Sequence, residues 1–178
     1  MKVTTYFLFL ILAIQSSSLG ASAAELTTKE STALTEAASK IFTAMKEKDW
    51  KTVVETTHPG IAKLAGGKEK LAEVTRKAFS TFDSIGLRFE KESLGKPGRL
   101  FEIEAGQLCF LPKEAIIVMQ GRKVWSQNYL VCIRERPGAK WLFIDGTGVS
   151  QQPDRLWQIF PDLPKSAKLP EIKRKILE

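Results

Sequence analysis

The chain has 178 residues, 43% of them hydrophobic and 26% charged, with a formal net charge of +7. This composition excludes a disordered or fibrous chain and fits one ordinary globular domain. The basic balance gives little reason to expect a nucleic-acid partner, because Lys and Arg are interspersed with acids and never run five in a row.

At the N-terminus Lys2 precedes an unbroken apolar stretch, Tyr6 to Ile14, followed by Ser16 to Ser18, Gly20 and the small-residue triplet Ala21-Ser22-Ala23. This order predicts a cleavable secretory signal peptide over residues 1–23, and with it an exported protein, periplasmic or secreted. The stretch is shorter than the ~20 residues a membrane span needs. Later apolar runs, such as Ala115 to Met119, are shorter still, so no membrane contact is expected after cleavage. Cleavage would leave 178 − 23 = 155 residues and, with Lys2 gone, a charge of 26 − 20 = +6.

Thr27 and Glu30 have the spacing of a capping box. Behind them Leu34, Ala37, Ala38, Ile41, Phe42 and Met45 form one apolar stripe, so a long first helix is predicted. Asp49 can cap a short second helix carrying Trp50, Val53 and Val54, which His58-Pro59-Gly60 should end. Gly66-Gly67 breaks the chain, and a third helix follows over Lys68 to Phe82, closed by Gly86. β-like runs then follow: Leu87 to Leu94, Leu100 to Ala105, Gln107 to Met119, Lys123 to Arg134 and Lys140 to Asp145. Helices first and an antiparallel meander after them define an α+β domain over residues 24–150. Residues 151–178 read as a C-terminal extension. Pro153 opens a short helix with Leu156, Trp157, Ile159 and Phe160, and the last few residues are expected to be loose.

If Gln120-Gly121 is a two-residue hairpin turn, directly opposed residues have numbers summing to 119 + 122 = 241. Cys109 and Cys132 sum to the same number. They should face each other across one ladder, at a separation a disulfide accepts. In an exported protein the pair reads as a disulfide; the alternative is two reduced, buried thiols. Pro112 could shift this register by forming a bulge. A turn at Pro137-Gly138 gives pairs summing to 136 + 139 = 275. Alternation then sorts the sheet into two faces. The face with Phe110, Ile116, Val118, Trp125, Tyr129, Val131, Ile133, Leu142 and Ile144 is expected against the helices. The other, with Cys109, Leu111, Ile117, Asn128, Leu130, Cys132, Trp141, Phe143 and Asp145, is mixed and is left for a partner, the C-terminal extension or a second subunit.

Several segments carry a family likeness: Lys48-Asp49-Trp50 with Val53-Val54, His58-Pro59, Gly66-Gly67-Lys68-Glu69-Lys70, and Trp141-Leu142-Phe143-Ile144-Asp145-Gly146. Over residues 26–165 the chain resembles the nuclear transport factor 2-like, or SnoaL-like, superfamily, and within it a group of exported bacterial proteins without an assigned activity. The resemblance implies N-terminal helices packed on a curved antiparallel sheet, cone-shaped and cystatin-like. It also implies a cavity between them and, often, a homodimer through the sheet. It does not imply one activity, since the superfamily holds isomerases, dehydratases, cyclases and binding modules.

Trp50, Trp125, Gln127 and Tyr129, with His58 at the mouth, are the candidate lining of an apolar ligand pocket; equally, they are plain core residues. His58 is a candidate general base or simply the residue that ends a helix before Pro59. Asp145 is a candidate cavity acid or the cap of the turn at Gly146-Thr147-Gly148. Tyr129 lacks the pair of acids that the superfamily's ketosteroid isomerases set beside their Tyr. Gly66-Gly67-Lys68 is not a phosphate loop, because Ala62 and Glu69 stand where it needs Gly and Ser or Thr. One His and two Cys do not make a zinc site, and no cofactor is expected. The sequence therefore reads as an exported, non-catalytic binding module for a small apolar ligand or a protein partner. The alternatives are an isomerase or dehydratase and a homodimeric structural protein.

Overall fold

The computed structural model describes residues 24–177, so the predicted signal peptide lies outside the described residues. Thr27 and Glu30 form the expected capping box at the start of α1 (Thr28–Glu47). Asp49 caps α2 (Trp50–Thr56) by accepting from the Thr52 N–H. His58-Pro59 ends α2 but also starts a further short helix, α3 (Pro59–Leu64), with Pro59 at its first position. Fixed φ and the missing N–H suit Pro to that place. After Gly66 and Gly67, both at positive φ, comes α4 (Lys68–Ser84).

The strands are β1 (Arg88–Leu94), β2 (Phe101–Ile103), β3 (Gly106–Met119), β4 (Arg122–Arg134) and β5 (Leu142–Asp145). Two short helices, α5 (Gly146–Gln151) and α6 (Asp154–Ile159), lead to β6 (Lys173–Leu177). The architecture is α+β, with helices and an open antiparallel six-stranded sheet. Two long central strands, β3 and β4, are each flanked by two short ones: β1 and β2 on β3, β5 and β6 on β4. The residues expected to be loose thus form an edge strand, pairing Lys123 with Leu177 and Gln127 with Lys173.

The turn at Gln120-Gly121 has both residues at positive φ, 51° and 76°, as a tight hairpin requires. The register follows as expected, with Cys109 opposite Cys132 and no bulge at Pro112, which faces Tyr129. β5 pairs Leu130 with Asp145 and Val131 with Ile144, again the predicted register. Both thiols are fully buried and unjoined. Burial, and then the adjacent Cys109 thiol, push the Cys132 thiol well above its usual pKa. The folded, reduced protein should therefore resist thiol reagents, and a bridge would form before the sheet closes. On expression into an oxidising compartment the non-reduced mass is expected to fall about 2 Da below the reduced value. The bridge would add about 3 kcal/mol of stability. The fully reduced mass from that compartment would overturn this expectation.

The cover on the two faces is exchanged relative to expectation. The N-terminal half of α1, through Leu34 and Ala38, packs on Cys109, Leu111, Leu130, Cys132, Trp141 and Phe143. The Phe110, Tyr129, Val131 and Ile144 face is covered by Val149, Leu156, Phe160, Leu163 and Ala167 from α5 onward. Both sheet faces are apolar here, so β4 from Asn128 to Arg134 is buried without alternation. Residues 151–177 thereby share a core with those before them.

Candidate functional site

Only half of the helix-side face is closed. Past Ala38, α1 lifts two larger side chains, Phe42 and Met45, over the far end of the sheet. There they roof a cleft of about 640 Å³ with Phe82 of α4. Alternation decides the floor: Lys113, Ala115, Ile117 and Met119 from β3, and Val124, Ser126 and Asn128 from β4. A smaller recess of about 190 Å³ shares Phe42, Met45, Phe89, Glu92, Lys113 and Asp145 with the cleft and runs on to Val53, Thr56 and Phe143.

One irregularity sets the third wall. The pairing of β1 with β3 shifts between Phe89 and Lys91, where Glu90 is left as the extra residue. Such a bulge lets residues three apart share a face. Phe89 opposes Ile117, Glu92 opposes Ala115, and both line the cleft.

The polar groups in the interior of the cleft are few, and the charged ones are paired. Lys113 Nζ hydrogen-bonds the Asp145 carboxylate, whose other oxygen accepts the Thr147 N–H at 2.8 Å and so caps α5. Asp145 is surrounded by protein, yet 52% of its side chain is open, because it faces the cleft. Burial alone would raise its pKa. The Lys113 charge and the hydrogen bonds from Lys113 and Thr147 outweigh this and hold the carboxyl below its usual value. Glu92 is only 6% exposed; Lys46 Nζ stands 3.0 Å from its Oε2. The ammonium is out of line for a hydrogen bond, so that oxygen has a charge partner but no directed donor. Asn128 donates to Thr147 Oγ1.

Of the residues expected to form a pocket, the structure places none on this cleft except the acid candidate Asp145. Trp125, Gln127 and Tyr129 occupy the odd positions of β4 and face away from it. Trp125 Nε1 reaches Glu114 at 3.4 Å, and Tyr129 is fully buried with its hydroxyl 3.3 Å from Ser150 Oγ. Trp50 lies under the Arg76 guanidinium, 5.1 Å from the ring centre. His58 caps α3, its Nδ1 accepting the Gly60 N–H at 3.1 Å and its ring lying 5.0 Å from that of Phe160. Burial lowers its pKa, so it is held as the neutral acceptor a cap needs. His58 and Asp145 are therefore on different sides of the sheet and cannot act on one substrate.

Sequence reasoning missed Glu92 and Lys113. Two signals were present. Lys113 is the one cation in the mostly apolar segment Leu108–Met119. The apolar positions entering and within β1 change parity, Leu87 and Phe89 odd but Leu94 even, which marks a bulge.

Among the described residues no helix is long and apolar enough to cross a membrane, and no three His, Cys, Asp or Glu side chains gather as metal ligands. Comparison of the chain with protein-family models, curated proteins and solved structures finds no match.

Proposed function

We propose that this protein is an exported binding module that holds a small, mostly apolar ligand between its helices and a cone-shaped, cystatin-like sheet, in the manner of the nuclear transport factor 2-like superfamily. The observation that carries the reading is the cleft itself. At about 640 Å³, it is of ligand size, and it is walled by Phe42, Met45, Phe82, Phe89, Ile117 and Met119 around a few polar groups. The isomerase or dehydratase alternative would rest on Asp145. Lys113 holds that carboxyl below its usual value, which weakens it as a base near neutral pH. The Phe110–Tyr129 half of the opposite face, which a second subunit could have covered, is covered by the chain's own C-terminal segment.

The test is titration with the neutral apolar dye Nile red. Saturable binding by the parent protein is expected, abolished in Ala115→Trp, where an indole fills the floor of the cleft. No binding by the parent, or equal binding by a folded Ala115→Trp protein, would overturn the reading.

A further inference from the structure

The charges in the interior of the cleft are paired. Lys113 answers Asp145, and Lys46, reaching in from α1, answers Glu92. Glu114 also touches the cleft; it is exposed, accepts from Trp125 Nε1 and has no basic partner within ion-pair distance among the described residues. The cations that remain are on β6. Arg174 pairs with Ser126 in the ladder and Ile176 with Val124. Ser126 and Val124 both face the cleft, so Arg174 and Ile176 stand at its rim. Among the described residues Arg174 has no acidic partner within ion-pair distance, and neither has Lys175; of the β6 cations at this end of the strand only Lys173 is matched, by Glu171. The cleft therefore joins an apolar interior, whose Glu92, Lys113 and Asp145 charges are paired, to an exposed rim on which the cations Arg174 and Lys175 outnumber the one carboxylate, Glu114.

From this we infer that the ligand is an anionic single-chain amphiphile: an apolar chain seated under Phe42, Met45, Phe82 and Phe89, with a carboxylate-class head at the Arg174 guanidinium. The inference rests on the cleft reading above and names its ligand class. A neutral alcohol would fill the same interior but leave the rim cation unanswered. An ammonium head would be repelled by it. Arg suits the role because its fork can meet both oxygens of a carboxylate and its charge persists at every relevant pH.

The test is displacement of Nile red from the full mature chain by decanoate, decanol and decylammonium, which share one tail and differ in the head. The expected order of affinity is decanoate, then decanol, then decylammonium. The lead of decanoate should shrink in high salt, since the rim is exposed. Arg174→Glu should weaken decanoate about tenfold, leave decanol unchanged and move decylammonium ahead of decanoate. Arg174 is exposed on an edge strand, and an unchanged melting temperature would show that the fold is intact. If decanol binds as tightly as decanoate, or if the charge reversal leaves the order unchanged, the inference falls while the cleft reading stands. If none of the three displaces the dye and the dye itself does not bind, the cleft reading falls instead.

Discussion

Replacing Glu30 with Ala is expected to lower the unfolding free energy by about 4 kcal/mol, the sum of an uncompensated buried cation and a lost helix cap. Arg134, at the end of β4, is 3% exposed. Its Nη2 hydrogen-bonds Glu30, its Nε donates to Gln107 Oε1 at 2.8 Å, and its guanidinium lies 4.6 Å from the centre of the Trp141 ring. Gln107 in turn donates to Glu102 at 2.6 Å. Glu30 also closes the α1 capping box with Thr27, so one carboxylate ties the helix start to the sheet. Arg134→Met is expected to cost less, below about 2 kcal/mol, because it removes the buried charge together with its need for a partner. Denaturant unfolding of the two variants checks this asymmetry; equal costs, or a larger cost for Arg134→Met, would refute it.

The same carboxylate makes stability pH-dependent. Hydrogen bonds from Thr27 and then Arg134 lower the Glu30 pKa from 4.5 to about 2. A depressed folded-state pKa contributes stability that is complete above the unfolded value and lost as pH falls from 4.5 through about 2. The shift corresponds to at most about 3 kcal/mol, and partial solvent exposure of the side chain brings it to about 2. Glu30→Ala should remove this acid-sensitive component from a stability profile.

Gly106→Ala is the second large effect, also about 4 kcal/mol, from backbone strain together with forced separation of paired strands. Gly106 opens β3 at φ +121°, a region closed to L side chains. An added Cβ would stand 2.2 Å from the Arg134 carbonyl oxygen and 2.6 Å from Glu135 Cα, both backbone atoms that cannot swing aside. Gly121→Ala separates the two causes. Its φ is +76° but nothing lies within 4 Å of the added atom, so only strain is charged, about 1 kcal/mol. In thermal unfolding the first should lower Tm by about 10 °C and the second by a few degrees. Similar shifts for both would remove the steric account.

What the sequence disclosed follows from how locally each feature is specified. The Thr27–Glu30 box and the Leu34–Met45 stripe are contained within a few turns, and α1 appears where they place it. The ladder register depends on one turn, Gln120-Gly121, whose two positive φ values fix every pair from Met119 to Gln107. Which cover lies on which face was not legible, because Leu111, Leu130 and Phe143 offer α1 as good a seat as Phe110, Val131 and Ile144 would. That choice carried the candidate site with it. Trp125, Gln127 and Tyr129 suit a pocket by residue type but lie on the side opposite the cleft, while Asp145, fixed at a strand end, lies on it. β6 was hidden by its composition, since Lys173-Arg174-Lys175 reads as a solvated tail, although Lys-rich edges are how sheets discourage unwanted pairing.

The spare residue in β1 has a consequence for how this protein can vary. An in-frame loss of one codon inside a strand normally turns every later side chain to the opposite face. At Glu90 it would not. Without it, Arg88, Phe89, Lys91 and Glu92 would meet Val118, Ile117, Ile116 and Ala115 as an unbroken ladder, the partners they already have. The wall would keep its residues and lose its bend, so the gap beneath Phe42 could change width while its chemistry stayed the same. Its ion pair with Lys123, half exposed on the lysine side, is all that such a deletion would forfeit directly. A change of length at this one position, unlike one at its neighbours, would therefore reshape the cleft without changing which side chains line it.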